Sequence, residues 1–286
     1  MKKCILSIFV LSAILSETFA QEESYEQLGE FGLTAGVAHY FGDLNTRANI
    51  NRLKPAVGIF YKKQFNNYFG AKISIHYAQL GYSDVYSNND YQKRRNLSFN
   101  SEIFEFALEG DFNFFKFVPG DPNYSFTPFV SLGIGGFSYN PYAYYQGNKV
   151  YLRGLGTEGQ AIGYVDPNNG KERKSYGSMA MCFPIGAGIK YNLSNNINLL
   201  FQIVHRITTT DYLDDVSTTF VGIDKFPVLN GQTSVAGILQ DRSFETGTPI
   251  GTEGIQRGFS KQKDQYLMAE VGISFSISTY KCPTAK

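Results

Sequence analysis

The chain has 286 residues and a formal net charge of +1, from 26 Lys+Arg against 25 Asp+Glu. That balance leaves no electrostatic footprint for nucleic acid, and the 18% of charged residues falls below the roughly 25% of soluble domains. Aromatic residues reach 15%, all Tyr and Phe, beside 29 Gly and no Trp, a mixture that favours strands punctuated by turns.

Residues 1–20 read as a secretory signal: Lys2 and Lys3, an apolar run over 5–15, then Thr18-Phe19-Ala20 before Gln21. The run is too short to span a bilayer, so removal is expected. Cys4 precedes the apolar run, where a lipid-modified Cys would not lie. No later stretch approaches the roughly 18 continuous apolar residues of a membrane helix. The chain is therefore read as exported, and if it enters a membrane it does so as strands.

Eight alternating segments follow, at 31–41, 54–65, 69–80, 100–115, 125–138, 178–193, 196–209 and 265–279. In the second, Val57, Ile59, Tyr61 and Phe65 alternate with Gly58, Lys62 and Gln64. The third sets Ala71, Ile73, Ile75 and Tyr77 against Lys72, Ser74 and His76. The fourth sets Phe104, Phe106, Leu108, Phe112 and Phe114 against Glu105, Glu109, Asp111 and Asn113. The sixth sets Ile185, Ala187, Ile189 and Tyr191 against Gly186, Gly188 and Lys190. The seventh carries Ile197, Leu199, Phe201, Ile203 and Ile207 on one face, and Asn198, Gln202, Arg206 and Thr208 on the other. Leu200 and Val204 break its polar face. In the eighth, Leu267, Ala269, Val271, Ile273, Phe275 and Ile277 oppose Glu270, Gly272, Ser274 and Ser276. A period of two is that of a strand with one apolar wall.

The connections sort by parity. Those after the second, fourth and sixth segments are short, whereas those after the odd ones are longer, with two very long loops at about 140–177 and 210–264. Short periplasmic turns and long extracellular loops are the outer-membrane barrel pattern. The expectation is an all-β, eight-stranded antiparallel transmembrane β-barrel. It consists of a signal at 1–20, a periplasmic lead-in at 21–30, the barrel at 31–279 and a periplasmic tail at 280–286. The competing soluble β-sandwich predicts neither the parity nor an apolar wall common to every strand.

In this register the lumen receives Lys62, Lys72, Glu105, Glu109, Asp111, Lys190, Arg206 and Glu270. An eight-stranded barrel is only wide enough for its side chains to fill. Opposed charges there neutralise one another, which predicts a solid polar core without a pore. Arg206 is expected to be fixed by one or more of Glu105, Glu109 and Glu270. Asp211, Asp214 and Asp215 sit at the outer rim near His205, but His205 and His39 point outward and His76 has no Ser partner. No catalytic set converges, and no enzyme activity is expected. The three Asp residues could bind Ca²⁺, but they lack the alternating spacing and Gly of a calcium loop. A solvated, turn-forming acidic rim is the preferred reading. No metal site, cofactor or small-molecule substrate is expected.

The last strand resembles the C-terminal insertion signal of outer-membrane barrels, with Gly272, Phe275 and Ile277 in place. Two cysteines remain after the signal. Cys182 faces inward as a buried thiol, and Cys282 follows the last strand. Their heights in the barrel differ by about 20 Å, against the roughly 4.4–6.8 Å between Cα atoms of a disulfide. They cannot pair within one barrel, so Cys282 is left either unpaired or in an intermolecular disulfide.

A set of short motifs resembles the PorG-like family. They are Phe41-Gly42-Asp43-Leu44, Lys54-Pro55-Ala56, Arg95-Asn96-Leu97-Ser98-Phe99, Leu155-Gly156-Thr157-Glu158-Gly159-Gln160, Asp241-Arg242-Ser243 and Gln256-Arg257-Gly258. The longest is Thr210-Asp211-Tyr212-Leu213-Asp214-Asp215-Val216-Ser217-Thr218. That family comprises outer-membrane barrel subunits of the type IX secretion system. The resemblance implies a non-catalytic role beside a periplasmic ring of PorK- and PorN-like subunits, in a machine that exports folded cargo and, in gliding bacteria, adhesins. It also implies outer-membrane lipid as surroundings. The alternative is a small barrel acting alone, as an adhesin or a lipid-modifying enzyme.

Overall fold

A computed structural model describes residues 25–280, within which Gln27–Ile277 form one compact unit. The expected signal, most of the lead-in, and Cys282 with the end of the tail lie outside the described residues. Eight long strands build the wall: β1 (Tyr25–Phe41), β2 (Lys54–Gln64), β3 (Phe69–Ser83), β4 (Ser98–Asn113), β5 (Phe126–Ser138), β8 (Met179–Ser194), β9 (Ile197–Thr208) and β12 (Gln265–Tyr280). Between them, β6 (Tyr142–Tyr145) pairs with β7 (Asn148–Tyr151), and β10 (Val228–Leu229) with β11 (Gln232–Thr233), as loop hairpins. The wall order is β3-β2-β1-β12-β9-β8-β5-β4, and pairing of β3 with β4 closes the ring. The structure is a closed eight-stranded antiparallel β-barrel, as the alternation predicted.

β1 begins at Tyr25 rather than at 31, so the lead-in is already wall and Glu30 is buried in the lumen. Single-residue alternation sets the two faces. Leu33, Ile59, Ile73, Phe106, Leu132, Ile185, Phe201 and Val271 stand exposed outside, one from each strand. No helix among the described residues is long and apolar enough to cross a membrane. The strands supply the apolar band instead.

One expectation needs correcting. The lumen is not wholly polar: Phe60, Phe129 and Leu200 form an apolar layer across it, which explains the break at Leu200. A second, larger apolar cluster at the long-loop end packs Tyr40, Phe99, Phe137, Tyr266 and Met268 against the loop residues Leu44, Leu213 and Leu239. His39 does point away from the lumen, but the loop after β1 covers it. Its ring meets Asn49 O at 2.7 Å and Asn45 Nδ2 at 3.1 Å.

The loop between β7 and β8 is folded at both ends of its acidic turn, by the Val165–Glu172 bridge and the Arg173–Asp166 ion pair at 2.8 Å. Residues 167–170 are exposed. An epitope inserted between Asn168 and Asn169 is expected to be labelled by antibody on intact cells, because lengthening an exposed loop adds little closure cost. Labelling only after permeabilisation would place the long loops on the periplasmic side.

Candidate functional site

All eight charges expected in the lumen are buried there. Near the short-turn end, Asp111 Oδ2 forms an ion pair with Lys62 Nζ at 2.8 Å and accepts from Lys190 Nζ at 3.4 Å. One layer up, Lys72 pairs with Glu109 at 3.2 Å, and Ser74 donates to the same carboxylate. Above that, Arg206 Nε lies 3.2 Å from Glu105, which also accepts from Tyr266. Glu270 accepts from Thr34 and Gln202 at 2.8 Å each. His76 stands between Glu105 and Glu270, its two nitrogens 3.6 and 3.5 Å from them. Of the three carboxylates considered for Arg206, only Glu105 touches it. Cys182 is a free, fully buried thiol at the top of this stack.

Gly272 turns inward, where a Cβ would come within 2.8 Å of Leu33 O, while Phe275 and Ile277 stand exposed on the outer face.

Over the lumen the long loops close into a cap, and this is where the acidic run goes. Asp211, Asp214 and Asp215 are buried, which corrects the expected solvated rim. The physical reason is supplied by distant partners. Asp215 accepts from Thr157 and from Tyr176 OH at 2.6 Å. Asp214 accepts from Tyr40 OH at 2.5 Å and Val216 N at 2.9 Å. Asp211 accepts from Ser217 Oγ at 2.5 Å. Tyr212 stacks on Tyr176, ring centres 4.5 Å apart, and Leu213 enters the apolar cluster.

Glu158 is the hub of the cap. Its Oε1 accepts from Ser217 N and Thr218 N at 2.9 and 3.0 Å and pairs with Arg257 Nη1 at 3.0 Å. Its Oε2 accepts from Thr218 Oγ1 at 2.5 Å and Tyr212 OH at 3.2 Å. Arg257 reaches on to the carbonyls of Asp215 and Gln240. A second pair, Arg95 with Asp84 at 2.7 Å, ties the loop between β3 and β4 to the carbonyls of Asp43 and Arg257. Asp43 accepts from Phe259 N with both oxygens. Asp241 bonds Ser243 N and Gly251 N, and Arg242 reaches Ser98 at 3.1 Å. Thus every motif quoted above except Lys54-Pro55-Ala56 contributes to one network. The composition signalled none of this; the motif residues Arg95, Glu158 and Arg257 were the available clue, and Asp84 and Asp264 had none.

A cleft of about 190 Å³ opens in the cap beside Asp43, Arg95, Gln256 and Arg257. Four hydrogen bonds already engage the Arg95 guanidinium. These cations hold the loops together rather than standing ready for an anion. Among the described residues no group of three or more His, Cys, Asp or Glu is arranged to hold a metal ion.

A family model described as a domain of unknown function, DUF6089, matches residues 5–220. The chain belongs to this family. No curated protein matches it in sequence. Among solved structures it is similar to the attachment invasion locus protein Ail of Yersinia pestis, crystallised with a heparin analogue. The identity is 10% and the TM-score 0.40, over 88% of this chain and 99% of that one. It is similar to Neisserial surface protein A, at 7% identity and TM-score 0.42 over 87% and 97%. OprG of Pseudomonas aeruginosa matches at 9% identity and TM-score 0.34 over 88% and 97%. This DUF6089 chain is an outer-membrane β-barrel on its own geometry, an exposed apolar band around a closed, charged interior.

Two outcomes follow from the geometry. Arg206→Ala strands the buried Glu105 carboxylate, at a cost on the order of 3–5 kcal/mol. Heat-modifiable gel migration should then shift to lower temperature, and unchanged melting would contradict the pairing.

The second outcome concerns pH. Asp43, Asp211, Asp214 and Asp264 form no ion pair among the described residues. Tyr40 OH lies 2.5 Å from Asp214 and 3.2 Å from Asp264 but has one proton to give. Both contacts are full hydrogen bonds when one of the two carboxyls is itself protonated and donates back to the hydroxyl oxygen. Burial pushes Asp43 up to about 6 and Asp211 to about 7, and raises Asp214 and Asp264 well above the carboxylate range. A raised pKa means that the folded cap holds protons the unfolded loops release. Its stability is therefore full below about pH 4 and falls as pH rises through about 6 to 7. Hydrogen exchange at Leu213 and Val216, corrected for intrinsic rates, should be slower at pH 5.5 than at pH 8. Asp264→Asn, which mimics the protonated form, should flatten that difference.

Proposed function

We propose that this barrel is a non-catalytic subunit of a type IX protein secretion machine, anchored in outer-membrane lipid and associated with the periplasmic ring of PorK- and PorN-like subunits. The observation that carries the reading is the cap. Residues from six of the seven motifs by which the chain resembles the PorG-like family converge on one buried network around Glu158 and Arg257. Motifs scattered across four loops thus belong to one structural unit, which is what a shared architecture requires. A lumen occupied by paired, buried charges suits an anchor, with cargo crossing elsewhere. No convergent nucleophile and base favours catalysis, since His205 bonds Gln265 on the outer face.

The ring would meet the short-turn end. A photo-crosslinker at Asn123 or Asn195, both exposed in short turns, is expected to trap periplasmic ring subunits in living cells, whereas one at Asn169 is not. Deleting the gene should leave cargo with C-terminal secretion signals inside the cell. Adducts from Asn169 alone, or normal secretion without the barrel, would return the reading to a small barrel acting alone.

A further inference from the structure

The barrel wall has a notch at its long-loop end. β5 leaves β4 after Ser138, which pairs with Phe104, while β4 continues beside β3 as far as Ser98. Above that point a single backbone pairing, Asn100 with Tyr142, and the Lys149–Glu102 ion pair join β4 to the β6–β7 hairpin. Below the hairpin, on the outer side of the wall, lies a cavity of about 400 Å³. Its lower lip is Tyr77 and Phe104, both exposed and continuous with the apolar band through Ile73 and Phe106. Its upper lip is Tyr142, Tyr151 and Arg153.

The two lips differ in charge as well as polarity. Lys149 lies 3.4 Å from Glu102, with its ammonium 3.8 Å from the Tyr142 ring centre and 5.0 Å from that of Tyr151. Those contacts hold the two rings in place over the notch. Arg153 donates only a long 3.4 Å bond to Asn140 and meets no carboxylate within ion-pair distance among the described residues. The notch therefore carries one uncompensated guanidinium at the level where the apolar band ends.

We propose that this notch binds a phosphorylated glycolipid of the outer leaflet. The phosphate sits on Arg153, whose planar fork matches phosphate oxygens. The sugar lies against the Tyr142 and Tyr151 rings, and an acyl chain runs down Phe104 and Phe106. Tyr is suited to such a boundary, with an apolar ring and a polar tip. A zwitterionic phospholipid fits less well, because its ammonium would add a cation beside Lys149.

Native mass spectrometry of the purified barrel in non-ionic detergent tests this. The probes are bisphosphorylated lipid A, its dephosphorylated form and phosphatidylethanolamine. Wild type is expected to retain one bisphosphorylated lipid A and about tenfold less of either other lipid. Arg153→Ala should lose about the same factor, with Arg153→Lys keeping most of the binding. Equal retention of the dephosphorylated form by wild type overturns the proposal, as does undiminished binding by Arg153→Ala. The first comparison needs no variant, so a folding defect in one cannot mask the answer.

Discussion

A barrel whose outside faces hydrocarbon must turn its polar side chains inward, and every charge placed there must find a partner across a narrow lumen. The rest of the structure depends on that constraint. Arg206 on β9 is matched by Glu105 on β4, two strands that do not touch in the sheet. Lys62 on β2 and Lys190 on β8 share Asp111 on β4 in the same way. Each such pair ties strands that no backbone ladder joins, so the interior braces the ring from within. The apolar cluster of Phe60, Phe129 and Leu200 packs among these charges. Lys190 rests on its Phe129 face, the ring centre 4.6 Å from the ammonium.

The cap answers a different demand. Its loops have only short ladders and single bridges to satisfy their amides, yet many are buried, so side chains supply part of what is missing. Glu158 accepts two backbone N–H groups of the chain after the acidic run, and Asp43 accepts one from Phe259. Close approach follows from this. A Cβ at Gly258 would come within 2.5 Å of Asp43 Oδ2 and 2.6 Å of Ser217 N, leaving room for glycine alone. Asp215 is held at φ 66°, a left-handed conformation that Asp tolerates, and this turns its carboxylate toward Thr157 and Tyr176.

These two halves were unequally legible in the sequence. Phe104, Phe106 and Leu108 against Glu105 and Glu109 determine a strand and its faces, because side-chain direction has a strict period of two. The choice of Glu105 rather than Glu109 or Glu270 for Arg206 was not legible. It depends on the heights at which non-adjacent strands cross the lumen, which no single strand encodes. β1 extends beyond its apolar alternation, since Glu30 accepts from Ser274 inside the barrel. The acidic run was misread for a related reason. Polar residues without period look solvated, and only partners such as Tyr40, Thr157 and Tyr176, many residues away, make burial affordable. The β6–β7 hairpin went unread for want of length: four residues a side carry too little alternation to stand out from a loop.

The lumen and the cap also part company in their electrostatics. In the lumen, Asp111, Glu109 and Glu105 each have a cation within ion-pair distance. Such pairs are screened little by salt and hold across a wide range of conditions. In the cap, Arg95 and Arg257 are committed to Asp84, Glu158 and Asp215, which leaves Asp43, Asp211, Asp214 and Asp264 to share protons. Asp211 Oδ1 has no hydrogen-bond partner at all. A structure that pairs Asp111, Glu109 and Glu105 against fixed cations in the lumen and leaves four cap carboxylates to protons has a wall and a cap that answer differently to pH. The cap is nevertheless seated on the wall by apolar packing and hydrogen bonds: Leu44, Leu213 and Leu239 pack against Tyr40, Phe99 and Phe137, and Tyr40, in β1, is where the cap carboxylates meet the wall.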